Sequence, residues 1–211
     1  MIAKKMSGRK QMEKEHRRRA ILEAARGLLL EKGYDTVSIR QIAGICELGT
    51  GTIYSYFSGK LEIYATLSTE VFDLLHDHFQ AAFAPGDEPT ESLRAIGAAL
   101  LDFSVRHRAY YDFLDYFISS SRTIFPAEMK SRIDEYGGRV LAPIRDAIEA
   151  GIRTGEFIRV DSTRYALLFV GMMHGVIHFR KLKGTLLTET GFDALYRQGV
   201  ESMIDSLRVS R

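Results

Sequence analysis

Residues 38–60 constrain the fold of this chain most strongly, because they predict two short helices joined by a tight turn, with a third helix starting at their end. Ser38 and Gln41 have the spacing of a capping box, in which each side chain satisfies the other residue's free backbone N–H. We therefore expect a helix that begins at Ser38, a turn at residues 47–49 and a second short helix over residues 50–56.

Two helices joined by a turn of three or four residues form a helix-turn-helix, whose second helix lies in the major groove of DNA. Such a helix needs short side chains where it approaches the bases, and hydroxyl or ammonium groups near the phosphates. Gly51 is a poor helix former, so its presence in a helix needs a reason, and a close approach of the backbone to DNA is one. The alternative is that Ile53, Tyr54, Phe57 and Leu61 only pack a small three-helix core. The candidate DNA contacts in this stretch are Thr50, Gly51, Thr52, Tyr54, Ser55, Tyr56 and Lys60.

The charge is unevenly distributed along the chain. Residues 1–66 contain 12 Lys and Arg against 7 Asp and Glu, whereas the remaining residues contain 17 against 20. The basic N-terminal part predicts an electrostatic site for phosphates. A basic tail that only aids solubility would produce the same asymmetry.

The rest of the chain predicts an all-α fold of about nine helices, because apolar residues recur at helical spacing and no segment alternates with a period of two. We expect residues 1–10 to be mobile. The first predicted helix runs from near Gln11 to before Gly33, and a helix over 59–83 follows a cap at Ser58. The next runs from a cap at Thr90 to near His107, and another includes Tyr110–Phe117. The last three run from Pro126 to about Gly155, from a cap at Asp161 to near Gly184, and through Phe192–Leu207.

The sequence also indicates a compartment. The single cysteine, Cys46, cannot form an internal disulfide, which favours a reducing cytoplasm. No run of 18 apolar residues is present, so we expect neither a transmembrane helix nor a membrane partner. The charged N-terminus lacks the apolar core of a signal peptide.

Several motifs within residues 15–66 carry a resemblance to a known family: residues 21–25, residues 32–34, Ser38 with Ile42 and Ala43, and above all residues 51–57 followed by Lys60 and Leu61. With these motifs the chain resembles the TetR/AcrR family of bacterial transcriptional regulators. The resemblance implies a homodimer that represses transcription by binding double-stranded operator DNA, and a small ligand that releases it.

The resemblance also implies two domains. Residues 1–66 would form an N-terminal three-helix DNA-binding domain of the helix-turn-helix type. Residues 67–211 would form a larger C-terminal helical domain for ligand binding and dimerisation. We expect the helix over 59–83 to bridge the two as their only direct link, so that a bound ligand tilts it and changes the spacing of the two DNA-binding heads.

Carried over by position, Ser38 resembles the family's usual Thr that caps the second helix and contacts a phosphate. Arg40 resembles a position that often contacts DNA. Two positions depart from the family pattern. The usual Ala-Gly of the turn is Cys46-Glu47 here, so an acid stands where glycine is favoured, and the usual Ser before the recognition helix is Gly49.

The last two helices are the expected dimer interface. Gly171 and Gly175 lie four residues apart and would let a partner helix approach closely, as in a four-helix bundle formed by two subunits. For the small hydrophobic effector, aromatic, methionine and histidine side chains are candidates, although most such residues belong to an ordinary core. The candidate effector residues are Phe103, Tyr110, Phe113, Phe117, Met173, His174 and His178, with Tyr116 and Met172 as further candidates.

His174 and His178 have the i, i+4 spacing of two metal ligands on a helix. The zinc-protease motif requires a Glu between them, and Gly175 stands there instead. We therefore expect no metal, no cofactor and no catalytic residue. The alternatives are a metal-dependent enzyme that uses this histidine pair and a transcriptional activator of the same fold.

Overall fold

The structure is a computed structural model that describes residues 2–84, 86–119 and 125–209. In these ranges it contains nine α-helices, one 3-10 helix and no strand beyond two isolated β-bridges, so the all-α prediction is confirmed. No helix in the same ranges is both long enough and apolar enough to cross a membrane. The helices are α1 (Ile2–Lys32), α2 (Ile39–Ile45), α3 (Thr50–Tyr54), α4 (Lys60–Gln80), α5 (Pro89–Arg106), α6 (Arg108–Ile118), α7 (Ala127–Thr154), α8 (Ser162–His178), the 3-10 helix (Phe179–Leu182) and α9 (Glu189–Asp205).

Helices α3 and α4 end at Tyr54 and Gln80 rather than at residues 56 and 83 as predicted. Three further predicted helix ends are wrong. Helix α1 begins at Ile2 rather than near Gln11, because Gly8 alone among those residues is a poor helix former and one glycine costs only about 1 kcal/mol. Helix α5 has Glu88 as its N-cap residue and Pro89 in its first turn, while Thr90 is buried and hydrogen-bonded to the Glu156 carboxylate.

The third error concerns α8, which ends at His178 and not near Gly184. Residues 179–182 continue as a 3-10 helix, and Gly184 follows with a φ of 82°. A 3-10 turn is a common way to end an α-helix, and it gives the following residues a new direction.

The chain divides into two compact units. The head unit comprises Met1–Val71 and Asp112–Ile133, and the body unit comprises Phe72–Tyr111 and Asp134–Arg211. Helices α4, α6 and α7 each contribute residues to both units. The role of the helix over 59–83 as the only direct link between the predicted domains stays a prediction. The domain boundary at residue 66 stays a prediction.

The head unit has an aromatic core. Tyr64 is fully buried, and its hydroxyl donates a hydrogen bond to the carbonyl of Ala25 at 3.1 Å. Its ring lies 6.4 Å from those of Phe113 and Phe117, both on α6. Burial raises the pKa of the Tyr64 phenol far above its usual value. These contacts hold α1, α4 and the second half of α6 around one core.

The body unit is built on α5, α8 and α9, which pack against one another. Two glycines, Gly97 on α5 and Gly151 on α7, permit close packing in this unit. Gly97 lies directly against Val200, and its carbonyl accepts a hydrogen bond from the Tyr196 hydroxyl at 2.8 Å. Gly151 lies so close to the Phe157 ring that a Cβ placed there would overlap the ring carbons.

The turn after α2 explains why Glu47 is an unusual residue at its position. Glu47 has a φ of 54°, the only positive φ of a non-glycine residue in the described ranges. The N–H of Leu48 donates to the carbonyl of Ala43 at 2.9 Å, and the N–H of Glu47 donates to that of Gly44 at 3.3 Å. This pattern is a Schellman motif, whose left-handed position favours glycine. Because Glu47 has a Cβ at this left-handed position, its backbone conformation is strained.

Gly151→Ala should destabilise the chain by about 1–3 kcal/mol, because the buried Phe157 ring cannot move away from the added methyl group without disturbing the core. Gly138→Ala on the same helix is the control. No atom lies within 4 Å of a Cβ there, so alanine should be neutral or stabilising by up to about 1 kcal/mol. Urea unfolding followed by circular dichroism measures both, and equal midpoints would contradict the expected packing.

Glu47→Gly should stabilise the chain by about 0.5–1 kcal/mol, because it removes the strained Cβ at a positive φ. Glu47→Gln separates strain from charge, since it removes the charge and keeps the Cβ, and it should leave the free energy of unfolding unchanged. If both variants are equally stabilised, the cause is the acidic group and not the backbone conformation.

Candidate nucleic-acid interface

Helix α3 presents its small residues to solvent because Ile53 anchors the opposite side. Ile53 is fully buried. Since each helical residue advances about 100° around the axis, Gly51 and Ser55 lie on the side away from Ile53. Both are exposed, and no atom outside the helix backbone lies within 4 Å of a Cβ built on Gly51. Nothing within the protein therefore requires glycine at this position.

The remaining predicted contacts on α3 and just after it are accessible too. Thr50 and Tyr54 are exposed, Tyr54 by 56% of its surface, and Thr52 and Tyr56 are half-buried. The N-cap residue of α3 is Gly49, which has no side chain to cap the helix. The first N–H groups of α3 are thus not satisfied by a capping side chain, as we expected from the absence of Ser.

The capping box predicted at α2 is confirmed. The Ser38 hydroxyl accepts a hydrogen bond from the backbone N–H of Gln41 at 3.3 Å, and the Gln41 side-chain oxygen accepts one from the N–H of Ser38 at 2.8 Å. Arg40, in the first turn of α2, is exposed. The capping box fixes where α2 starts, and thereby positions both Ser38 and Arg40 on the surface.

Lys60 has a structural role that the sequence did not reveal. Its ammonium group donates hydrogen bonds to the carbonyls of Tyr34 at 2.7 Å and Val37 at 2.8 Å, and it lies 4.3 Å from the centre of the Tyr34 ring. Burial lowers the pKa of this ammonium, and nearby Asp35 partly opposes the effect. An ammonium has three N–H donors, so one remains for a phosphate. Contact of Lys60 with DNA stays a prediction.

Tyr116 on α6 contacts the same loop between α1 and α2. Its hydroxyl accepts a hydrogen bond from the backbone N–H of Tyr34 at 2.8 Å. Gly33, with a φ of 77°, lets the chain turn next to this hydroxyl, which would lie 3.5 Å from a Cβ at that position. The loop is therefore fixed from two sides, by Lys60 of α4 and by Tyr116 of α6.

The first half of α1 adds positive charge to the head unit. Lys10, Lys14 and Arg19 are exposed, whereas Arg17 pairs with Glu13 at 2.5 Å and Arg18 with Glu70 at 3.3 Å. These three side chains leave positive charge on α1, in the part of the chain where the sequence predicted an electrostatic site for phosphates. Contact of this helix with a phosphate stays a prediction.

The residues proposed for the effector lie in both units. Phe103 and Met173, in the body unit, are fully buried, and Tyr110 there is half-buried. Phe113 and Phe117 belong to the head unit, where their rings lie 4.8 Å apart in the aromatic core. Contact of any of these residues with an effector stays a prediction.

His174 and His178 lie side by side in the body unit, with 5.0 Å between their rings and 3.4 Å between their Nε2 atoms. The Nδ1 of His174 is 2.9 Å from the hydroxyl of Tyr111. A neutral imidazole has one donor and one acceptor, so a chain from the Tyr111 hydroxyl through His174 to His178 satisfies each of these atoms. The buried Tyr111 was missed from the sequence, although it directly follows the proposed Tyr110.

A cavity of about 670 Å³ in the body unit contains none of the proposed effector residues. Helices α5 and α9 and the 3-10 helix line it, with Arg180, Lys183 and Phe192 among its residues. The sequence signal that could have indicated it is the group of basic residues that directly follows the apolar helix α8.

Comparison with known families matches both parts of the chain. Residues 21–67 match the sequence model of the bacterial regulatory proteins of the tetR family, and residues 86–201 match that of the tetracyclin repressor-like C-terminal domain. The first match contains the candidate interface, and the second covers more than half of the chain.

Individual relatives agree with this result. An uncharacterized HTH-type transcriptional regulator of Bacillus subtilis, YhgD, is 24% identical over 161 residues, which are 76% of this chain and 82% of YhgD. A tetR-family regulatory protein from Rhodococcus has the same fold, with a TM-score of 0.75, 19% identity and coverage of 92% of this chain and 98% of that one. A putative fatty acid metabolism regulator from Clostridium perfringens has a TM-score of 0.71 and 16% identity, covering 90% and 100% of the two chains.

The capped helix-turn-helix, its exposed small residues and the two matching sequence models lead to the same conclusion. This chain belongs to the TetR family of DNA-binding transcriptional regulators.

Proposed function

We propose that the chain is a homodimeric repressor that a small hydrophobic effector releases from operator DNA. Each subunit places α3 in a major groove, at half-sites about one helical turn apart. The observation that carries the proposal is Gly51, an exposed helical glycine with no packing reason inside the protein. A close approach of this backbone to DNA gives it a reason.

The roles of the interface residues divide by chemistry. Ser38, Tyr54, Tyr56 and Lys60 carry hydroxyl or ammonium groups that suit phosphates. The other proposed contacts are the ones that read bases. They are Thr50, Thr52 and Ser55, within about one helical turn of Gly51, and Arg40 on α2.

Dimerisation through α8 and α9 has support from an exposed apolar stripe on α8. Leu167 and Leu168 expose 56% and 63% of their surfaces, and Gly171 and Gly175 follow them at helical spacing. No atom lies within 4 Å of a Cβ on either glycine, so a partner helix has room to approach. Exposed leucines next to small residues are typical of a helix–helix interface.

Release by the effector uses the helices shared between the units. Helix α4 carries Lys60 at its start and α6 carries Tyr116, and both residues hold Tyr34 in the loop before α2. A ligand that shifts α4 or α6 would therefore move α2 and α3. The apolar core of the body unit favours a hydrophobic effector, and the Clostridium perfringens neighbour, a putative fatty acid metabolism regulator, is consistent with this class.

Selection of bound sequences from random duplex DNA tests the DNA-binding part of the proposal. We expect the recovered sites to be two-fold symmetric, with half-sites about one helical turn apart, because a symmetric dimer presents two copies of α3. Recovery of no common sequence, or of a single half-site, would contradict the proposed dimeric mode.

On the selected DNA, Gly51→Ala should weaken binding at least about tenfold while stabilising the free protein by up to about 1 kcal/mol, because alanine favours the helix and fills the space that DNA requires. Gly27→Ala on α1 is the matched control, an exposed helical glycine that is equally free of neighbours. It should stabilise the protein similarly and leave DNA affinity unchanged. Fluorescence anisotropy and thermal unfolding measure the two quantities, and retained affinity in Gly51→Ala would contradict the close approach.

Tyr116→Phe tests the link between α6 and the loop between α1 and α2. Loss of the hydroxyl leaves the Tyr34 N–H without its acceptor, so the chain should lose about 1 kcal/mol of stability and the Tyr34 amide should exchange its hydrogen faster. Tyr56→Phe, in the same unit, should change neither quantity. Unchanged exchange at Tyr34 in the Tyr116→Phe variant would show that this hydrogen bond does not hold the loop.

A further inference from the structure

The groove between α5, α9 and the 3-10 helix of the body unit has a shape and a charge pattern that suit a ligand of its own. Its volume of about 670 Å³ is in the range of small-molecule sites. It lies entirely within the body unit and contains none of the residues that the sequence indicated for the effector.

One wall of this groove is an apolar stripe on α5. Ala98, Leu101 and Val105 line it at positions i, i+3 and i+7, and they span about 10 Å along the helix. Val105 exposes 62% of its surface. Phe192 and Val200 of α9, both buried, complete the apolar lining. An apolar body of several carbon atoms therefore fits along α5.

One end of the groove is cationic. The Arg180 guanidinium lies 5.5 Å from the centre of the Phe192 ring, and the Lys183 ammonium lies 4.9 Å from it. Arg180 donates hydrogen bonds to the Ser104 hydroxyl at 2.6 Å and the Ser104 carbonyl at 3.3 Å. No carboxylate of the described ranges pairs with Arg180, and a guanidinium has five N–H donors, so donors remain for an anion.

At the opposite end of the groove, the charged side chains form ion pairs with one another. Arg94 binds the Glu201 carboxylate through two hydrogen bonds of 2.7 and 2.8 Å, and it also pairs with Glu91. These hydrogen bonds lower the pKa of the Glu201 carboxyl. The acid beside the α5 stripe, Asp102, pairs with Arg106 at 2.7 Å and lies 3.2 Å from His78.

The last acid of the groove, Asp193, lies one turn from Arg197 on α9, a spacing that favours pairing of the two side chains. The anion-binding end is therefore the one beside Ser104, next to Val105.

From this arrangement we propose that the groove binds an amphipathic carboxylate, with its apolar tail along Ala98, Leu101 and Val105 and its carboxylate on Arg180. The planar guanidinium matches a carboxylate in geometry and charge. The site does not depend on DNA binding, and its occupancy is measured without DNA.

Calorimetric titration of the full-length chain with decanoate, below its micelle-forming concentration, tests the site. We expect one molecule bound per chain, and binding at least about tenfold weaker for 1-decanol, which has the same tail without the charge. Equal affinity for decanoate and decanol, or no binding of decanoate, would overturn the proposal.

Variants locate the binding within the molecule. Val105→Glu places a negative charge beside Arg180 on an exposed position and should weaken decanoate binding about tenfold or more. Val105→Gln, of similar size and uncharged, removes only the apolar contact with the tail, so it should weaken binding clearly less than Val105→Glu does. Arg180→Gln should also lose about tenfold, and Arg153→Gln, an exposed arginine elsewhere in the body unit, should lose nothing.

If Arg180→Gln disturbs the 3-10 helix, Val105→Glu still tests whether decanoate binds in the groove. Decanoate binding that is insensitive to Val105→Glu would place the ligand elsewhere and overturn the proposal. Sedimentation at several protein concentrations tests whether a second copy of the chain occupies the groove instead. A monomer–dimer equilibrium that Val105→Glu shifts and Val105→Gln does not would assign the groove to a second copy of the chain instead.

Discussion

The ammonium group of Lys60 makes the contact on which the geometry of the head unit depends. It binds the carbonyls of Tyr34 and Val37 and lies over the Tyr34 ring, so the first residue of α4 fixes the loop that leads into α2. Carbonyl groups in a part-buried loop need donors, and a charged donor forms stronger hydrogen bonds than a neutral one. The position of α2, and through it that of α3, follows from this contact.

Helix α3 illustrates how one short helix contributes to the core on one side and leaves its other side exposed. Ile53 contributes to the core and is fully buried, while Gly51 and Ser55 lie on the opposite side in contact with solvent. A five-residue helix is too short to be stable by itself, so its formation depends on the burial of Ile53. The side facing away is then free of packing constraints, which allows residues such as glycine that disfavour a helix.

The body unit shows why apolar residues that suit a pocket are hard to assign from sequence. Phe103 and Met173 are fully buried, and only the packing of α5, α8 and α9 determines that. The groove with Arg180 depends on three elements that are far apart in the chain, from Ala98 on α5 to Phe192 on α9. Helical periodicity identifies an apolar face, but it contains no information on whether that face meets protein, ligand or solvent.

Local patterns determined much of this protein. The capping box at Ser38 set the start of α2, the period of apolar residues set an all-α fold, and the short residues near Gly51 marked the candidate interface. These features depend on neighbours within about one helical turn, and the sequence displays such neighbours directly. Tertiary structure decided the partners of Lys60 and Tyr116 and the groove beside Arg180. Each depends on chain direction or on residues far apart in sequence, and only packing brings those together.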